Sequence, residues 1–74
     1  RRSAEEAAAT LTDRERDVVI AVAEGLSNAE VGARLYISEA TVKVHLSSAQ
    51  DKFGVRNRVG VAVLAERAGL LRGR

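Results

Sequence analysis

The chain has 74 residues, one histidine, no cysteine and a formal net charge of +2. A chain of this length forms one small domain, and its inventory excludes disulfides, thiolate metal sites and the nucleophile–base pairs of common enzymes. From this inventory we expect a protein that is not an enzyme and uses no metal or cofactor. The longest apolar runs are too short to span a membrane, so we expect a cytoplasmic protein. Because position 1 is Arg rather than Met, we also expect a piece of a longer protein.

Charge is distributed unevenly along the chain. Residues 1–37 hold five Arg and seven acids, whereas residues 38–74 hold seven Lys or Arg and three acids. A basic half is a weak indication of nucleic-acid binding, and on charge alone a solvated basic surface explains it equally well.

The first ten residues contain no large apolar side chain and are rich in Ala and Glu. We therefore expect residues 1–10 to be a linker, partly helical at most, with nothing to anchor it to a core. Arg1 and Arg2 could serve as a basic arm, but a plain linker is the favoured interpretation.

Two capping boxes mark the starts of the first two predicted helices. In each box a hydroxyl residue precedes a glutamate by three positions, as in Thr12 with Glu15 and Ser27 with Glu30. The second helix is short and contains Gly32, which costs about 0.5–1 kcal/mol relative to Ala. That glycine suggests that another helix crosses close by, although alanine would also fit.

The third predicted helix has two contrasting faces. Ser38 is its predicted N-cap, and only three residues separate it from the preceding helix, which is typical of a helix-turn-helix. One face of this helix is apolar and recurs at steps of four, three and four: Val42, Leu46, Ala49 and Phe53. The opposite face is small, polar and partly basic: Lys43, Val44, Ser47, Ser48 and Asp51. An outward face of this kind suits a helix that lies in the major groove of DNA.

The last predicted helix begins after Asn57, a plausible N-cap, and ends at Gly69. It carries apolar residues on more than one side, so one side can close the core and the other is either a subunit contact or scattered exposure. We expect residues 72–74 to fray. The residues alone therefore predict an all-α helix-turn-helix domain.

Five segments carry a resemblance to a known family, at residues 11–16, 25–31, 38–45, 52–55 and 69–71. The third contains the run Thr-Val-Lys-Val-His. In their order and spacing these segments closely resemble the C-terminal DNA-binding domain of LuxR/FixJ-type (NarL-like) bacterial transcription regulators, which include response regulators. The resemblance implies a four-helix, winged-helix-free helix-turn-helix bundle of the LuxR effector type over residues 11–71.

The same resemblance implies a function and its residues. The domain is expected to bind double-stranded DNA sequence-specifically as a dimer on paired half-sites, with helix Glu39–Phe53 in the major groove and a regulatory domain N-terminal to it. The implied base contacts are Lys43, Val44 and Ser47. The implied phosphate contacts are Ser27, Asn28, Ser38, Thr41, His45, Lys52, Arg56 and Arg58. The implied dimer contacts on the last helix are Gly60, Val63, Leu64 and Arg67.

Several alternatives stay open at this point. Sigma-factor region 4 shares the capping pattern, and a helical dimerisation or protein-docking module would share the bundle. His45 could equally be a partly buried histidine that is hydrogen-bonded within the domain. Arginines in loops, such as Arg56 and Arg58, are more often solvated than in specific contacts. If Lys52 does contact phosphate, replacing it with alanine should weaken all sequences alike and lower the salt slope of binding by about one.

Overall fold

The computed structural model describes residues 3–72, and five helices follow one another in that range. They are α1 Ala4–Ala8, α2 Asp13–Ala23, α3 Asn28–Leu35, α4 Glu39–Phe53 and α5 Arg58–Arg67. Residues 3–72 contain no strand, so the all-α helix-turn-helix class is confirmed, with one helix more than the expected four. The proposed basic arm at positions 1–2 and the end of the tail at positions 73–74 lie outside the described residues.

The helix starts are fixed locally by side-chain caps. Thr12 and Ser27 each accept a hydrogen bond from the backbone N–H of the glutamate three residues on, at 3.1 Å, and that glutamate reaches back to the cap. Ser38 caps α4 and Asn57 caps α5, as predicted. Each cap contributes about 1 kcal/mol, so the sequence pattern determines where four of the five helices begin.

The core lies where α2 meets α4 and α5, and α3 packs against α4. Its largest fully buried side chains are all valines: Val18, Val19, Val31, Val42 and Val61. The predicted inner face of α4 is buried throughout. The stripe deduced from helical spacing is therefore the surface that holds α4 in the bundle.

The segment expected to be a linker is anchored in the structure. α1 begins with a capping box between Ser3 and Glu6, and it packs against α4 and α5. Ala7 and Ala8 are only 4% and 5% exposed. The expectation that this segment lacks an anchor is wrong for residues 3–10, because two small alanines are buried where α1 meets α4 and α5.

The turn between α3 and α4 is tight, and two residues make it so. Tyr36 caps α3 with φ 59° and ψ 43°, a left-handed conformation that usually favours glycine. The chain then folds back so closely that a Cβ on Gly32 would lie 2.6 Å from the carbonyl oxygen of Ile37. The neighbour of Gly32 is therefore the backbone of the turn rather than a crossing helix, and alanine does not fit there.

Candidate nucleic-acid interface

The outer face of α4 is an open ridge. Lys43 and Ser47 are exposed, and Val44 is 67% exposed although it is apolar. Within residues 3–72 Lys43 makes no hydrogen bond or ion pair, so its ammonium is free to donate elsewhere. The structure thus brings the three predicted base-contacting residues together on one surface that no other part of residues 3–72 covers.

Polar groups lie at the start of α4, next to this ridge. The Ser38 hydroxyl donates to Thr41 Oγ1 at 2.9 Å and accepts from the Thr41 backbone N–H at 3.0 Å. Ser38 is exposed, and Thr41 and His45 are half-buried. The N-terminal turn of α4 therefore presents the Thr41 hydroxyl and the first backbone N–H groups of a helix, a combination that attracts anions.

The start of α3 is held by an arginine from α5. Arg58 donates to the side-chain oxygen of Asn28 and to the carbonyl oxygen of Leu26, both at 2.9 Å. Since the Asn28 oxygen accepts from Arg58, the amide NH₂ of Asn28 points elsewhere and remains a donor. Arg58 is therefore committed to the domain's own structure, whereas Arg56 is exposed.

Lys52 is also engaged, and its partner is a buried carboxylate. Lys52 Nζ lies 2.6 Å from Glu15 Oε1 and 3.1 Å from the carbonyl oxygen of Thr10. The other oxygen of Glu15 accepts from the Ser48 hydroxyl at 2.5 Å. Glu15 Oε1 also accepts from the Thr12 backbone N–H at 2.8 Å, so this one carboxylate joins the start of α2 to two residues of α4.

The charge state of Glu15 follows from these contacts. Burial opposes the charge and raises the pKa, but hydrogen bonds from Lys52, Ser48 and Thr12 and the attraction of the Lys52 ammonium outweigh it. Together they lower the pKa of Glu15 from 4.5 to about 2. Glu15 is therefore ionised at neutral pH even though its side chain is only 6% exposed.

α5 carries an apolar strip on its outer side. Val59 is 69% exposed and Val63 is 42% exposed, one turn apart. A surface cavity of about 330 Å³ borders this strip and is lined by Ala23, Ala62, Val63, Glu66 and Arg67.

The other two predicted dimer contacts, Gly60 and Leu64, are only partly exposed. Leu64 packs against the core, and a Cβ on Gly60 would lie 2.8 Å from Val55 Cβ. Of the four residues predicted for dimer contact, Val63 and Arg67 are thus exposed.

Two residues with clear roles in this arrangement were missed at the sequence level. Glu15 was assigned only to a helix cap, because its partners lie 33 and 37 positions away and leave no local signal. Val59 was overlooked on α5, although its spacing of four from Val63 gave a helical signal.

Comparison with known proteins decides the family. The family described as bacterial regulatory proteins, luxR family, matches residues 9–65, which is most of the chain. The chain belongs to the luxR family. It is therefore a helix-turn-helix DNA-binding domain of a transcription regulator, and the sigma-factor and protein-docking alternatives give way to this assignment.

Individual relatives of this luxR-family domain are bacterial regulators. It is 49% identical over 55 residues to a nitrate/nitrite response regulator protein homolog of Haemophilus influenzae, covering 74% of this chain and 26% of that protein. It is 48% identical over 54 residues to the nitrate/nitrite response regulator protein NarP of Escherichia coli, covering 73% and 25%. It is 45% identical over 60 residues to the uncharacterised transcriptional regulatory protein YhcZ of Bacillus subtilis, covering 81% and 28%.

The luxR-family chain thus spans about a quarter of the length of these three relatives. No solved structure gives a significant match. Across residues 3–72 no three His, Cys, Asp or Glu side chains are grouped so that they could hold a metal ion. None of the helices described is both long and apolar enough to cross a membrane.

Proposed function

We propose that this domain binds double-stranded DNA sequence-specifically by placing α4 in the major groove. The observation that carries the proposal is the open ridge of Lys43, Val44 and Ser47. In it a free ammonium, an exposed branched apolar side chain and a hydroxyl lie side by side. We assign Lys43 to guanine acceptors, Val44 to a thymine methyl group and Ser47 to a short or water-mediated polar contact.

Phosphate contacts on either side of the ridge are proposed for groups that remain available to donate. At the start of α3 these are the hydroxyl of Ser27 and the amide NH₂ of Asn28, whose side chain Arg58 orients. Around α4 they are Thr41 and His45, with the exposed Arg56 following the helix. The Ser38 hydroxyl donates its proton to Thr41 Oγ1, so we assign Ser38 to orienting Thr41 at the phosphate-facing end of α4. Contacts of this kind fix position and register rather than sequence. We assign Arg58 and Lys52 to holding the domain together, since each makes two hydrogen bonds to other parts of it.

We further propose that two copies of the domain pair through α5 on adjacent half-sites. The support is the exposed strip of Val59 and Val63, with Arg67 beside it. Pairs of helix-turn-helix units bind half-sites about one helical turn apart or multiples of it, so this pairing predicts a repeated operator.

The rest of the protein is proposed by analogy with the relatives. Because this chain corresponds to about a quarter of their length, we infer a regulatory domain on the N-terminal side that controls DNA binding. The relatives are bacterial, and we place the protein in the cytoplasm, where a bacterial regulator meets the chromosome.

The test begins with selection of preferred sites from random duplexes, which yields the half-site and its spacing. Lys43→Ala should then weaken binding to that site by about 1–3 kcal/mol and relax base preference at one position, as measured by fluorescence anisotropy. The loss is confined to one base pair because a bidentate lysine contact discriminates only there.

A matched control is Arg16→Ala, which removes the same charge from an exposed position of α2 and is expected to leave base preference unchanged. Equal base preference in the Lys43→Ala variant and the parent domain would reject α4 as the reading helix. Absence of any selected sequence would reject specific binding altogether.

A further inference from the structure

Lys52 lies on the helix that we assign to DNA, yet its charge is used inside the protein. Its ammonium has three donors, of which Glu15 Oε1 and the carbonyl oxygen of Thr10 take two. The side chain of Lys52 is 31% exposed, so water and ions still reach it. Lys52 is therefore a cation on the helix proposed to contact DNA, and it is already paired with Glu15 in the absence of DNA.

Glu15 holds Lys52 firmly, because the two side chains of the pair are in different surroundings. The Glu15 side chain is only 6% exposed, so losing its counterion would leave an uncompensated charge in a poorly hydrated site. A DNA phosphate would instead offer Lys52 a contact in water, where salt screens the attraction. The free energy therefore favours the Lys52–Glu15 pair over a contact between Lys52 and a DNA phosphate.

A second donor of α4 is withheld in the same way. The Ser48 hydroxyl donates to Glu15 Oε2 at 2.5 Å, so its proton is not available to a phosphate. The exposed charged residues of α4 are then one base, Lys43, and two acids, Glu39 and Asp51. The helix offered to DNA is consequently less attractive to phosphate in general than its count of basic residues indicates.

We propose that Glu15 is an internal counterion that withholds Lys52 from DNA phosphates and thereby limits non-specific binding by this domain. The inference rests on the proposed function, since it requires α4 to face DNA. Glu15 acts here as a specificity-determining residue without touching DNA. With its charge removed, Lys52 becomes free to pair with a phosphate of any sequence.

The experiment compares binding to a random-sequence duplex as a function of salt. Glu15→Gln keeps the shape and the acceptor for Thr12 but removes the charge, so the salt slope should steepen by about one. Between about 50 and 200 mM salt this variant should lose about threefold more affinity than the parent domain. The ratio of specific to non-specific affinity should fall accordingly.

Two further variants separate this effect from a change in net charge. Asp13→Asn makes the same charge change at an exposed position of the same helix and should keep the parental slope. Glu15→Gln combined with Lys52→Gln should return to the parental slope, because the released cation is gone. Lys52→Gln alone should also keep that slope, in contrast to the sequence-based expectation of a loss of one.

Equal slopes for Glu15→Gln and Asp13→Asn would overturn the proposal, as would a loss of about one in Lys52→Gln alone. Circular dichroism of each variant checks that it folds. Independently of any variant, the NMR signals of the Lys52 ammonium group in the parent domain should not move when the random duplex is added, and a shift would overturn the proposal. Failure of the parent domain to bind any duplex would instead reject the proposed function and, with it, this inference.

Discussion

For the substitution Gly32→Ala, packing predicts a loss of stability whereas helix propensity predicts a gain. Gly32 lies within α3, where alanine would ordinarily stabilise the helix by about 1 kcal/mol. The structure places the added Cβ 2.6 Å from the carbonyl oxygen of Ile37, far inside the 3.4–4 Å of ordinary contact. Because that atom belongs to the backbone, no side-chain rotation relieves the clash.

The size of the destabilisation follows from the displacement of the turn between α3 and α4. Overpacking in a tight site costs about 1–3 kcal/mol. Displacing the turn also weakens the bond from the Ile37 N–H to the Gly32 carbonyl oxygen, now 3.0 Å, which contributes about 1 kcal/mol. After subtracting the gain in propensity, Gly32→Ala should destabilise the domain by about 1–3 kcal/mol and lower Tm by about 5–20 °C.

The assay is thermal unfolding followed by circular dichroism, with urea unfolding as a second measurement. Ala33→Gly is the matched control, because Ala33 is the exposed neighbour in the same helix and should cost only about 1 kcal/mol through propensity. An increase in Tm for Gly32→Ala would refute the reasoning, since it would mean that the turn yields to a methyl group without cost.

Three further predictions concern single side chains. Tyr36→Gly should stabilise the domain by about 0.5–1 kcal/mol in urea unfolding, because glycine adopts the left-handed conformation without the strain of a side chain. Arg58→Ala should destabilise it by about 1–3 kcal/mol and shift the amide NMR signals at the start of α3, and unmoved signals there would contradict the assigned bonds. Because folding lowers the pKa of Glu15 to about 2, its contribution is complete above pH 4.5 and disappears as the pH falls toward 2. The parent should lose at most about 3 kcal/mol over that window through this group, whereas Glu15→Gln should show no such loss, and identical acid titrations would refute the assignment.

The parts of the fold that sequence predicted are those encoded by near neighbours. A hydroxyl residue followed by glutamate three positions later determines a helix start through bonds within one turn, so Thr12 and Ser27 were correctly assigned. The apolar spacing along α4 likewise depends only on the helical period. It identified the buried face and the opposite exposed face, except for Ser48, which is half-buried and bonded to Glu15.

The parts that sequence did not predict depend on residues far apart in the chain. The Glu15–Lys52 pair spans 37 positions and the Arg58–Asn28 bond spans 30, and no local pattern distinguishes these charges from solvated ones. The burial of Ala7 depends on the packing of α1 against α4 and α5, which lie far along the chain. The left-handed Tyr36 was missed because a turn of this geometry is normally signalled by glycine.

The guanidinium of Arg58 has a mechanical consequence for the proposed pairing through α5. Its two hydrogen bonds join the beginning of α5 to the beginning of α3, so we expect the proposed subunit contact and the proposed phosphate contacts to keep a fixed position relative to each other. The separation between two bound copies is then dictated by the shape of the domain and not by bending within it. Altering that separation requires rebuilding the contact between the copies, which makes α5 the place to engineer a new operator spacing.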